Sequence, residues 1–168
     1  MPMHHIPSTD DSVILARWEA VAEQENLDPN TGYYWSRRKK FLSAELRREF
    51  SQAFGVDVES LEGWKRLCIA VRGNGFPVKD LTSIEKCKGA LRGRFVNIFD
   101  LVDAGIEKRS VPADLVFREI DELREYTKDT DKVFPREDAK LVPLLAHFLI
   151  TLGAVQRGRR RGQLVITG

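Results

Sequence analysis

Leu141-Val142-Pro143-Leu144-Leu145-Ala146-His147-Phe148-Leu149-Ile150-Thr151-Leu152 is the stretch on which the reading of the fold turns. At 100° per residue its apolar side chains surround a helix almost completely, and a helix apolar on every side belongs in a core. Pro135 suits the first position of that helix, and Glu137 and Asp138 sit well near its positive end. Pro143 either kinks the helix or breaks it. The pattern predicts a seventh and last helix at the centre of the molecule.

Six amphipathic segments lead up to it. Ser8-Thr9-Asp10-Asp11 caps the first, which carries Ile14, Leu15, Trp18, Val21 and Ala22 at helical spacing and ends near Asn26. After the turn at 27–32, a second runs from about Trp35 to Phe54, with Gly55 as its stop. Leu42, Leu46, Phe50, Ala53 and Phe54 share one of its faces, and Arg37, Lys40, Arg47 and Arg48 the opposite one. Ser60 caps a third, with Leu61, Trp64, Leu67, Cys68 and Val71 inward and Gly73 at its end. Thr82 or Ser83 opens a fourth with the stripe Ile84, Cys87 and Leu91, closed by Gly93. Asn97 caps a short fifth, where Ile98, Leu101 and Val102 face inward and Gly105 stops the pattern. A sixth starts at Pro112 and carries Val116, Ile120, Leu123 and Thr127, followed by a polar turn at 128–133.

The expectation is an all-α fold: one compact bundle of six or seven short and medium helices over residues 10–153, after a disordered N-terminus at 1–9. The segment 154–168 differs in kind. Two β-compatible runs, at 154–157 and 163–167, flank Gly158-Arg159-Arg160-Arg161-Gly162, a pattern that fits either a basic C-terminal β-hairpin or a disordered tail.

Composition agrees with one globular domain: 168 residues, 42% hydrophobic and 31% charged. No apolar run approaches the roughly 18 residues of a membrane span, so no membrane association is expected. Two cysteines are too few for a disulfide scaffold, and the N-terminus lacks a basic region followed by an apolar core. The expected compartment is the cytosol or nucleus. The net charge of +2 conceals a division along the chain, because residues 36–109 hold 16 bases against 10 acids and residues 154–168 hold four bases and no acid. Both segments can attract an anionic partner.

Few residues offer catalytic chemistry. His147 shares a narrow stripe with Lys140, Pro143 and Thr151 and reads as a surface or packing histidine. Cys68 and Cys87 lie on apolar stripes, where thiols act as small hydrophobes. No paired short spacing of zinc ligands occurs, and Val71-Arg72-Gly73-Asn74-Gly75-Phe76 lacks the third glycine and preceding strand of a nucleotide-binding loop. Asp100 and Asp103 stand three apart on one helix and read as a solvated pair. Accordingly, no catalytic residue, cofactor or metal is expected.

The basic features recur. Arg37, Arg38, Lys39 and Lys40 follow the aromatic trio Tyr33, Tyr34 and Trp35, a combination suited to phosphate contact plus base stacking on a single strand. Arg157, Arg159, Arg160 and Arg161 can grip phosphates as a wing-like loop.

The blocks Ser60-Leu61-Glu62-Gly63-Trp64-Lys65-Arg66-Leu67-Cys68, Ser83 through Asp103, Arg124-Glu125-Tyr126-Thr127-Lys128 and Val133 through Lys140 resemble a group of small fungal proteins with no assigned activity. The similar region covers roughly residues 50–150. The resemblance implies an intracellular helical protein and carries over no functional residue. The leading functional expectation is a non-enzymatic intracellular binding or adaptor protein that meets a protein partner through helical surfaces. The alternative is a nucleic-acid-binding protein that uses the basic face 37–48 and the loop 157–161. A homodimer is a further expectation, since a 168-residue domain has limited material with which to cover an all-apolar helix.

Overall fold

Five helices open on a side chain that accepts a backbone N–H of the first turn, which would otherwise lack a partner. Ser12 accepts from Leu15, Thr31 from Tyr34, Ser60 from Gly63, Ser83 from Lys86 and Asn97 from Phe99. They start α1 (Val13–Gln24), α2 (Gly32–Phe54), α3 (Leu61–Arg72), α4 (Ile84–Leu91) and α5 (Ile98–Ile106) in this computed structural model, which describes residues 12–152, 155–157 and 164–166. Three more follow: α6 (Ile120–Thr130), α7 (Arg136–Ala139) and α8 (Pro143–Thr151). The fold is all-α, as the periodicity predicts. No described helix is long and apolar enough to cross a membrane.

The centre is α5, not the last helix. Every residue from Ile98 to Ala104 is buried, and α5 packs against α1, α2 and α3. Gly105 does not stop this helix but lies within it. A Cβ at Gly105 would come within 2.8 Å of the Ala53 Cβ, so only glycine lets α5 lie this close to α2. Gly63 plays the same part in α3, where a Cβ would stand 2.7 Å from the Phe54 carbonyl oxygen and 3.2 Å from Leu144.

The predicted seventh helix is broken at Pro143 into α7 and α8, with Pro143 in the first turn of α8, where its missing N–H costs no bond. Leu144, Leu145, Phe148 and Leu149 of α8 are buried, and the Leu144 N–H donates to the Val56 carbonyl (3.2 Å). Leu141 and Ile150 are 61% and 54% exposed, so the segment covers one side of the core instead of filling it.

Three boundaries also differ. α1 is capped by Ser12, whereas Ser8–Asp11 and the N-terminus expected to be disordered lie outside the described residues. α2 begins at Gly32, one turn early, because Thr31 supplies a cap. α6 begins at Ile120, not at Pro112, because the intervening chain is bonded elsewhere. Val111 donates its N–H to the Ala70 carbonyl (2.8 Å), residues 113–115 form a single 3-10 turn, and Phe117 forms an antiparallel bridge with Phe95. Beyond the helices, β1 (Val155–Arg157) pairs antiparallel with β2 (Leu164–Ile166), Val155 opposite Ile166, and residues 158–163 between them lie outside the described residues.

Candidate functional site

Three of the six basic side chains of α2, Arg37, Arg38 and Arg48, are committed to acids. Arg37 pairs with Glu25 (3.0 Å), and Arg48 with Glu45 (2.8 Å) and Glu49 (3.2 Å), both of which also hold Arg17. Arg38 reaches Asp131 (3.7 Å) and lies over the Trp35 ring, 5.5 Å from its centre. Arg47 donates from Nε to the Ser43 hydroxyl (3.4 Å). Lys39 and Lys40 are exposed and have no ion-pair partner among the described residues.

The aromatic trio is not a row of three rings. Because α2 starts at Gly32, successive residues point 100° apart, and Tyr34 turns inward onto Trp18, edge to face at 5.2 Å, its hydroxyl accepting from the Trp18 indole (3.1 Å). Tyr33 and Trp35 remain exposed, the Trp35 indole donating to the Pro29 carbonyl (3.0 Å). Arg157 lies in β1, while Arg159, Arg160 and Arg161 lie outside the described residues.

Asp100 and Asp103, expected to be solvated, are both buried. Lys132, read as part of a polar turn, is buried with them and donates from Nζ to Asp100 Oδ1 (2.8 Å) and to the Tyr126 hydroxyl (2.9 Å). Asp100 Oδ2 has no hydrogen-bond partner among the described residues. Asn97 ties this cluster to the loop by donating to Thr127 Oγ1 (3.0 Å) and the Lys132 carbonyl (2.9 Å). Asp103 Oδ1 accepts the Ile14 N–H (3.2 Å), and burial pushes its carboxyl above the usual carboxylate range. Burial, and next the charge of Asp100, push the Tyr126 phenol well up. These groups lock α5 to α1 and to the end of α6. The Cys68 thiol donates to the Cys87 carbonyl (3.3 Å) and is pushed up to about 12 by burial, so it is no nucleophile near neutral pH. His147 is exposed on α8.

Free positive charge gathers elsewhere, around the C-terminal end of α3. The bridge Phe95–Phe117 carries two backbone bonds, Phe95 N–H to Phe117 O (2.9 Å) and the reverse (2.8 Å), which puts Arg94 and Arg118 on facing positions. Together with Arg72 they line a depression of about 350 Å³ whose wall is Val71, Val111, Ala113 and Val116. No acidic side chain lines it, and none of the three arginines forms an ion pair among the described residues. Arg72 is braced instead, its guanidinium 4.8 Å from the centre of the Phe76 ring and within 3.4 Å of the Ala90 carbonyl. Residues 109–111, held to α3 by Ser110 Oγ donating to the Ile69 carbonyl (3.1 Å), separate this depression from a second of about 260 Å³ with Arg66, Lys108 and Arg109 at its edge. Arg109 is paired there with Glu107 (2.9 Å).

Sequence reasoning missed this face because its three arginines belong to a helix end, a loop and a segment read as helix. The available signal was Val116-Phe117-Arg118, which is as compatible with a strand as with a helix turn. No family model, curated protein or solved structure matches the chain, so the resemblance of residues 50–150 transfers no role to any residue.

Proposed function

We propose that this chain is a non-enzymatic binding protein, an adaptor that captures an anionic partner on the cationic face around the end of α3. One observation carries the reading: Arg72, Arg94 and Arg118 line one depression, with no carboxylate among the described residues that line it. Like charges on facing positions of a bridge destabilise the free protein, and an anion between them relieves that repulsion. The buried polar groups of α5 and its cap, Asp100 Oδ2 excepted, support the same reading, since they are taken up by bonds that hold helices together.

A nucleic acid as the partner has its own support in exposed Tyr33 and Trp35 beside Lys39 and Lys40. A titration of the full chain with labelled polyglutamate and a labelled single-stranded oligonucleotide at rising salt separates the two. Binding of both polyanions, weakened by Arg66→Glu and Arg118→Glu and not by Arg37→Glu, supports the adaptor. Oligonucleotide binding alone, lost on Lys39→Glu and Lys40→Glu, favours the alternative, with affinity falling about 0.7–0.9 log units per log salt for each phosphate contact. Absence of binding to either at low salt overturns both.

A further inference from the structure

We infer that the depression formed by Arg72, Arg94 and Arg118 takes a phosphomonoester group carried on a small molecule, an assignment that rests on the anion-capturing face proposed above. Three arginines line the depression and no acidic side chain among the described residues does, and two of them, Arg94 and Arg118, flank a bridge whose backbone bonds bring their segments together against the repulsion of like charges. A dianion offsets more of this charge than a carboxylate does, and its three terminal oxygens accept bonds from several guanidinium forks at once. A phosphodiester carries one charge and buries its bridging oxygens in the chain, so it fits less well. The rest of the lining is Gly73 and the apolar side chains of Val71, Val111, Ala113 and Val116. A ligand that fills the site therefore has an apolar or flat body next to its charged group. At about 350 Å³ the depression is at the small end of the usual range of roughly 300–1,000 Å³ for ligand sites, room for one phosphorylated small molecule.

Arg72 is already prepared for the role. Its stacking on Phe76 and its contact with the Ala90 carbonyl fix the guanidinium, so little side-chain freedom is lost on binding. Arg94 is half-buried, and Arg118 is the exposed arm that can close over the ligand.

The test is calorimetric titration of the full chain, in phosphate-free buffer, with phenyl phosphate, inorganic phosphate and benzoate as the probes. Phenyl phosphate is expected to bind one to one, at least tenfold tighter than inorganic phosphate and more tightly still than benzoate. Its affinity should fall between pH 7.5 and 5.5, as the second ionisation near about 6 is crossed and the dianion is lost. Arg94→Met and Arg118→Met should each weaken it at least tenfold, Arg94→Lys less, and Lys39→Ala not at all. The same Met variants should melt at or above the temperature of the unaltered ligand-free chain, which separates a lost ligand contact from a damaged fold. Equal binding of phenyl and inorganic phosphate overturns the apolar body and leaves free phosphate as the ligand. Benzoate binding as tightly as phenyl phosphate, or Met variants that bind unchanged, overturns the site. If phenyl phosphate fails while polyglutamate capture stays sensitive to Arg118→Glu, the phosphate site falls and the adaptor reading stands; if both fail, both fall.

Discussion

Helices α5 and α8 are each nine residues long, and their fates are opposite to their compositions. α8 is the more uniformly apolar, yet it lies at the side of the core with Ile150 exposed and His147 beside it in solvent. α5 carries Asp100 and Asp103, yet all its residues from Ile98 to Ala104 are buried among three other helices. Apolar circumference shows what a helix can tolerate around it, whereas burial follows from how many neighbours the chain path brings. α5 lies midway along the chain and meets helices that come before it, and Gly105 lets α2 approach closely. α8 follows the break at Pro143 and turns one face, Leu144, Leu145, Phe148 and Leu149, onto the core.

If the contrast holds, its largest consequence is at Lys132. Lys132→Met leaves the Asp100 carboxylate unpaired in the core and should cost about 3–5 kcal/mol in urea denaturation, with Lys132→Met plus Asp100→Leu recovering most of it. A loss under about 1 kcal/mol would mean that water reaches the pair, and that α5 is not the dry centre described.

The second consequence is a pH dependence. Burial first, and then the nearby Asp100 charge, raise the Asp103 carboxyl above its ordinary value of 3.8, against the opposing bonds from Ser12 and the Ile14 N–H. The native chain therefore holds this proton more strongly than the unfolded chain does. Stability from this group is complete below the ordinary value and is lost as pH rises through the raised one. Asp103→Asn, which keeps an oxygen for the Ile14 N–H, should be the more stable protein at pH 7 and should lack that slope in a series of urea midpoints. A variant less stable than its parent at neutral pH would show that the bonds to the charged form outweigh its burial.

The smallest effect is expected on the outer side of α8. Ile150→Lys should change stability by no more than about 0.5 kcal/mol, because the side chain is already in solvent. A larger loss would mean that the face is covered by a second copy, which light scattering over a concentration series would reveal as a mass above 19.2 kDa.

Much of the helical layout was legible because its signals are local. Ser60 and Gly73 bound α3 where the spacing of Trp64, Leu67 and Val71 says they should, and Ser83 and Asn97 do the same for the two helices that follow. Legibility failed where a residue answers to a distant partner. Val116 and Phe117 have helix-compatible spacing, but Phe117 bonds Phe95, 22 positions earlier. The candidate site was illegible for the same reason. Arginines at 72, 94 and 118 come to one depression through that bridge, whereas in the run at 37–40, conspicuous in sequence, Arg37 and Arg38 meet Glu25 and Asp131.

The sequence by itself determined that this chain is helical, where most of its helices are capped, and that Cys68, Cys87 and the apolar stripes turn inward, since hydrogen-bond capping and periodic burial act within a turn or two of the chain. Only the tertiary structure decided which helix is central, which charges are paired and which remain free. Those outcomes depend on Coulomb and packing terms set by separation in space, and distance along the chain says little about distance in the fold.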